Sequence, residues 1–524
     1  MEKQRYFAYA ALFFSLVTAC DTDYLVNPDN PALAPTGYLM NNIQYEQAFN
    51  LNNQWTAGRA TLLYAQYFAQ TAYTDESRYQ IRNTQIDRIW SYSYYILEDL
   101  KKIIAENEDP TIKNQSLTLR FGSNSDQIQI SRILMSYLFM KLTDIFGDVP
   151  YWSYGQRDKP DFQALRLDER GKRIPNPKYT DAQVIYKDVL AELKDAADKL
   201  TPGQSTFSEY DRMFSGDNDR WIRFAHSLRL RLAAHLFDSD PSLAKKTYDE
   251  SKGSAFQSAE ENAVFEFGDS ESEAGPWYAA FVTGARNDFA LSRPFVRLLQ
   301  NEIGPFQSLS SPDPRLLAFV KPAEGYEIII GEPYGFGDKI ARYQVKKGLS
   351  PFTDRILKAR FKQPILLYAE VEFIRSQFEG WNQAHYEKGV KAALSFWGVS
   401  PAEIDEYVNQ LLPASQETVL TQKYIGLFMD GLEAWTLYRS TGYPKTLNIP
   451  GVAQYEFKHT DAAGNPKVEK ITFTPLVNLN DIPGRINYPD NEQTSNHVNW
   501  KAAVDKLKPI SGSDLMSNKI FWAR

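Results

Sequence analysis

Residues 180–203 read TDAQVIYKDVLAELKDAADKLTPG. Ile185, Val189, Leu193, Ala196, Ala197 and Leu200 recur at spacings of three and four, which is one apolar stripe of a helix. Thr180 and Asp181 stand where a helix needs an acceptor for its first free amides, and Pro202-Gly203 stops it. Downstream, in 219–237, Trp221, Ala225, Leu228, Leu232 and Leu236 form a second stripe, with Asp217, Asn218 or Asp219 as its cap. The same periodicity predicts helices near 41–69, 86–107, 127–146, 364–379, 383–397, 401–411 and 416–440. Short connections between several of them predict antiparallel pairs. The expected fold is therefore mostly α, a tetratricopeptide-like helical scaffold, although no clean consensus of about 34 residues recurs.

Two stretches break this pattern. Residues 253–360 and 442–500 are rich in Gly, Pro, Asn and Ser, with Gly268-Asp269-Ser270, Gly304-Pro305, Ser311-Pro312-Asp313-Pro314 and Gly335-Phe336-Gly337 as punctuation. Ala263 to Phe267 and Glu327 to Ile330 read as short strands. Long irregular stretches are often functional. They are expected to pack on the helical scaffold (about 41–252 and 364–440) as a loop-rich, ligand-binding half of a single domain, 37–524.

The N-terminus reads as an export signal. Lys3 and Arg5 precede an uncharged run from Tyr6 to Ala19, too short for a spanning helix of about 20 residues. It ends in Leu16-Val17-Thr18-Ala19-Cys20, the pattern of a lipobox. Residues 1–19 are expected to be a signal peptide and Cys20 the lipidated residue. Cys20 is the only cysteine, so the mature chain has no intrachain disulfide available. Two or more acyl chains on it hold a protein stably to a membrane. Residues 20–36 read as the lipidated Cys and a flexible tether, through Asn27-Pro28-Asp29-Asn30-Pro31 and Ala34-Pro35-Thr36.

Loss of 1–19 takes Lys3 and Arg5 from 58 basic residues and Glu2 from 65 acidic ones, leaving a net charge of −8. That balance argues against a nucleic-acid partner. An enzyme needs a constellation, and none is evident. His226, His235, His385, His459 and His497 show no metal-ligand spacing, and no GxSxG occurs. Gly331 to Gly337 reads as a turn, not a phosphate loop. Asp217-Asn218-Asp219 is either a helix cap or a calcium contact, and it lacks the twelve-residue loop pattern. Glycosidase carboxylate pairs stay open, because 65 acids offer many combinations. No catalytic residue, metal or cofactor is assigned.

Further motifs carry a family resemblance. They are Phe68 to Tyr79 (FAQTAYTDESRY), Leu142 to Tyr151 (LTDIFGDVPY), Asp313-Pro314-Arg315-Leu316, Leu366 to Phe373 (LLYAEVEF) and Trp381 to Trp397. In this order, after the lipobox, they resemble the SusD/RagB family of nutrient-binding outer-membrane lipoproteins across essentially the whole chain. Their physics is mostly structural. Phe146 to Pro150 reads as a helix that ends at Gly and then extends before Pro. Asp313 caps the turn that Pro314 starts, and Arg315 is expected to pair with a carboxylate. Glu370 and Glu372 read as buried or interhelical ion pairs. Asp21-Thr22-Asp23 resembles the acidic export tag of surface-exposed lipoproteins, and a solvated tether has the same look.

The resemblance implies an outer-membrane, lipid-anchored protein, and the acidic tag points it toward the cell exterior. It implies a ligand, oligosaccharide or peptide, and a SusC-type TonB-dependent transporter as partner. The alternatives are a structural subunit with no ligand of its own and a lipid-anchored glycan hydrolase. Exposed aromatics beside polar loop residues are the expected ligand contacts. Three patches qualify: Tyr73, Arg78, Tyr79 and Arg82; Trp152 and Tyr154; and Trp277, Tyr278, Arg286 and Asn287. For each, loop packing or the transporter interface is the competing role.

Overall fold

Helices form where caps and periodicity coincide. The computed structural model describes residues 34–168, 171–460 and 465–524; the expected signal peptide, Cys20 and most of the expected tether lie outside them. Asp181 Oδ1 accepts from Gln183 N at 2.9 Å, and helix Ala182–Lys199 follows. Asp217 Oδ1 accepts from Asp219 N at 2.9 Å and Arg220 N at 3.2 Å, so the Asp217-Asn218-Asp219 run caps helix Asn218–His235. Helix Asn124–Phe146 ends at Gly147, whose φ of +90° suits a residue without Cβ. The chain then extends, and Val149–Pro150 pairs with Tyr179–Thr180.

Consecutive helices pack on one another. Thr36–Asn50 lies on Asn83–Glu108, which lies on Asn124–Phe146; Ala182–Lys199, Asn218–His235 and Pro241–Ser251 continue the stack. Each middle helix buries faces against the one before and the one after, as in a helical-repeat solenoid. A second group, Tyr368–Phe378, Gln383–Phe396, Pro401–Asn409, Gln416–Gly426 and Gly431–Thr441, folds back onto Asn218–His235. Among the described residues, no helix is long and apolar enough to cross a membrane.

Charges join the two helical groups in the interior. Arg231 Nε donates to Glu370 Oε1 at 2.9 Å, and its Nη2 lies 3.3 Å from Asp430 Oδ2. Glu433 Oε2 is 3.5 Å from Arg231 Nε and 2.9 Å from His235 Nε2. Lys423 lies 3.4 Å from Glu433 and 3.8 Å from Glu370. Burial acts to raise the Glu433 carboxyl, but His235, Arg231 and Lys423 outweigh it and hold the group below its ordinary value. Glu372 pairs with Arg375 and with His385 Nδ1, the latter at 2.7 Å. Glu370 and Glu372 are thus the ion pairs expected. Arg315 pairs with Asp313 itself, Nε to Oδ1 at 2.9 Å, with both side chains buried.

Aromatic packing ties the loop-rich half to this scaffold. Tyr67 stacks on Tyr424 with centroids 4.8 Å apart, Phe295 lies 5.5 Å from Phe428, and Phe319 lies 4.0 Å from Phe428.

Several sequence expectations are corrected. The helix expected at 41–69 starts at Thr36 and ends at Asn50. Thr36, expected in the tether, is buried, and its Oγ1 donates to Gln127 Oε1 at 2.6 Å. The start of the 364–379 helix is instead strand Lys362–Leu366, paired with Ala263–Glu266; Pro364 lacks the amide a helix interior uses, and the helix begins at Tyr368. The 416–440 helix is two, parted by Met429 at φ +73° and recapped by Asp430. Glu327 to Ile330 forms no strand. The 442–500 stretch is not wholly irregular, since it holds the hairpin of Gln454–Thr460 and Pro466–Thr472.

Replacing Arg231 with Met leaves Glu370, Asp430 and Glu433 short of their central cation. The expected cost is about 3–5 kcal/mol of stability, read as a fall in the urea midpoint. Replacing Arg157, in its half-exposed pair with Glu108 at 2.9 Å, is expected to cost less than about 1 kcal/mol.

Candidate functional site

Asn53 turns the chain where helix Thr36–Asn50 ends, its Oδ1 accepting from Trp55 N at 2.8 Å and Thr56 N at 3.2 Å. This turn presents the half-buried Trp55 at the surface. Gly58 then passes over the buried indole of Trp277; a Cβ on Gly58 would sit 2.9 Å from Trp277 Cη2. The close pass brings Arg59 under Trp55. Three guanidinium carbons surround the Trp55 ring: Arg59 at 4.9 Å, Arg286 at 5.3 Å and Arg88 at 5.7 Å from its centroid.

Buried ion pairs hold these groups in place. Arg59 Nη1 donates to Glu76 Oε2 at 3.2 Å and its Nη2 to Asp288 Oδ2 at 3.0 Å. Arg286 Nη2 reaches the same Asp288 oxygen at 2.7 Å, and Arg82 Nε lies 3.5 Å from Glu76 Oε1. Strand Phe68–Gln70 pairs with Phe289–Leu291, and beyond it Thr71 N donates to Asp288 O at 2.9 Å while Thr71 Oγ1 donates to Asn287 O at 2.5 Å. Loops 51–59, 71–82 and 282–288 therefore form one face with the start of helix Asn83–Glu108. Tyr73, two residues beyond Thr71, is 55% exposed at φ +55°, and Thr74 N after it donates to Asp338 Oδ1 at 2.9 Å. An indole with forked cationic donors around it suits a sugar ring, which offers C–H faces to the one and hydroxyls to the other.

The structure thus brings together Arg82, Arg286 and Asn287 from the first and third expected patches, with Tyr73 exposed farther along the 71–82 loop. Arg78 lies on the same loop, where its Nη2 donates to Asp75 at 3.0 Å. Tyr79 is not a surface group: it is 0% exposed and packs on Phe473 and Tyr64. Trp277, 1% exposed, supports the face from beneath, and Tyr278 beside it is half-buried. Both buried rings fill the interior because long loops wrap over them.

The second patch stands apart. Trp152 is 4% exposed with the Lys101 ammonium 5.2 Å from its centroid. Residue 101 is about 20 Å along the helix from Arg88, at 1.5 Å per residue. Tyr154 donates to Glu108 at 2.8 Å between the guanidinium groups of Arg132 and Arg157, a structural clamp. Trp55, Arg59, Arg88 and Asp288 were not singled out from the sequence. Trp55 and Arg59 fell within an expected helix, and Asn52-Asn53 and Gly58 are the signals that break it.

A cleft of about 480 Å³ opens elsewhere in the loop-rich half, between helix Arg293–Leu299, helix Asp338–Lys347 and the hairpin. Behind its wall Glu332 is 0% exposed, and neither carboxyl oxygen has a hydrogen-bond partner. Burial pushes this carboxyl up to about 9. Its folded-state value is raised, so the stabilising contribution is complete below the unfolded value near 4.5 and is lost as pH rises toward about 9. Each pH unit in that window costs about 1.4 kcal/mol. Glu332→Gln removes the titration. Its stability advantage over the parent is expected to widen by roughly 4 kcal/mol between pH 5 and pH 8, measured by urea unfolding at both.

Among the described residues, no group of three or more His, Cys, Asp or Glu side chains is placed to hold a metal ion. The family model described as "Starch-binding associating with outer membrane" matches residues 28–458, and that described as "Susd and RagB outer membrane lipoprotein" matches residues 413–523. Among solved structures, a SusD homologue from Parabacteroides distasonis superposes with a TM-score of 0.72 at 19% identity, covering 94% of this chain and 98% of that one. A chitin-binding protein gives 0.70 at 21%, covering 94% and 100%. A chitin-binding SusD homologue from Flavobacterium johnsoniae gives 0.67 at 20%, covering 93% and 97%. No curated protein matches the chain in sequence.

Proposed function

The chain belongs to the SusD/RagB family of outer-membrane lipoproteins, and from that premise we propose that it captures a glycan on the Trp55 face and hands it to a SusC-type TonB-dependent transporter. It is a lipid-anchored outer-membrane protein, as its family is described. The lipid site we assign is Cys20, which lies outside the described residues. The observation that carries the binding reading is the half-buried Trp55 ring with Arg59, Arg88 and Arg286 around it. The family's description as starch-binding-associated and the chitin-binding relatives support a sugar over a peptide. The reading assigns binding and delivery, with no bond made or broken.

Titration calorimetry of the chain from residue 21 against chito- and malto-oligosaccharides tests this. Binding is expected with at least one series. Trp55→Ala is expected to cost about 2 kcal/mol, roughly 30-fold in Kd, as for a central aromatic anchor. Trp152→Ala is expected to leave binding unchanged. Absence of any glycan binding, with stable co-purification with a transporter barrel, would favour a structural subunit. Release of shortened glycan would contradict binding alone.

A further inference from the structure

We propose that the cleft of about 480 Å³ is a second glycan site, which takes a sugar ring bearing an anionic group, a carboxylate or a sulfate. Its distinguishing feature is unpaired positive charge. Arg293, Lys347 and Lys458 line it from three separate elements. Among the described residues none of the three makes an ion pair. The acidic group on the cleft wall, Glu456, lies 4.0 Å from Lys470. Glu332, buried behind the wall, holds its proton through the neutral range and adds no negative charge. On the Trp55 face, by contrast, Arg59, Arg82 and Arg286 are all engaged by carboxylates.

Three exposed cations around one concavity repel one another, and a bound anion relieves that repulsion while accepting charge-assisted hydrogen bonds. Arg293 supplies the forked geometry that matches a carboxylate or sulfate. The aromatic walls supply the sugar. Tyr455 has the Arg293 guanidinium 5.5 Å from its centroid and packs on Phe336, also at 5.5 Å. Tyr343 has the Lys347 ammonium at 5.5 Å and packs edgewise on Phe457 at 4.9 Å. Each tyrosine hydroxyl is tethered, that of Tyr343 to Lys458 O and that of Tyr455 to Gln344 Oε1 at 3.4 Å. The cleft thus holds two fixed ring-and-cation pairs, each able to take a C–H face on the ring and a charge on the cation.

This extends the glycan-binding reading to a second place, and its test separates the two. The mature lipoprotein in detergent micelles is titrated with a galacturonate hexamer, a sulfated galactan hexamer, maltohexaose and hexaglutamate, at 50 and 300 mM NaCl. At least one charged saccharide is expected to bind, with an affinity that falls at least fivefold at the higher salt. Whichever of the two binds more tightly identifies the anionic group. The double variant Arg293→Gln, Lys347→Gln is expected to weaken that binding at least tenfold with an unchanged melting temperature. Trp55→Ala is expected to leave it intact. The proposal is overturned if neither charged saccharide binds, if the double variant binds it as tightly as the parent, or if maltohexaose or hexaglutamate binds the cleft equally well.

Discussion

Arg231 carries its guanidinium into the centre of the helical scaffold, where Glu370, Asp430 and Glu433 close around it and Lys423 and the His235 ring lie against Glu433. The partners come from helices Asn218–His235, Tyr368–Phe378, Gln416–Gly426 and Gly431–Thr441, with Asp430 as the cap of the last. Taking so many charges out of water is tolerable only if each finds its partner at once. That requirement fixes how the second helical group docks on the first. It matters more in a chain whose single cysteine leaves no disulfide to do the same work. The aromatic cluster of Tyr67, Phe295, Phe319, Tyr424 and Phe428 then seats the loop-rich half on that frame.

The candidate binding face follows from the same logic at smaller scale. Arg59 is buried, yet it bridges Glu76 and Asp288, residues that enter from loops far apart in sequence. Because those loops are locked from below, the Trp55 ring sits fixed beside the exposed side chains of Arg88 and Arg286. The cleft beside the hairpin uses the opposite device, since its cations are left without carboxylates. Two surfaces with different electrostatics thus sit on one frame.

Local signals made much of this legible. Asp181 and Asp217 sit where capping rules place them, and the helices they start have the expected apolar stripes. Asp313-Pro314-Arg315 and the Glu370 and Glu372 pairs also behave as their chemistry suggests. What sequence periodicity could not resolve was the fate of aromatics in polar loops. Tyr79 and Trp277 look like contact residues, but tertiary wrapping buries them; Trp55 looks like part of a helix, but a single Asn turn exposes it. Arg59 meeting Asp288 is a contact across 229 positions, and no local pattern encodes it.

The central claim is that a rigid helical frame holds a separate glycan-reading face around Trp55. Hydrogen–deuterium exchange of the chain, with and without a saturating neutral oligosaccharide, addresses it directly. The account expects protection confined to residues 51–59, 71–88 and 282–288, with the frame at 182–251 unchanged. Protection centred on Trp152 and Tyr154, or on the frame itself, would contradict it.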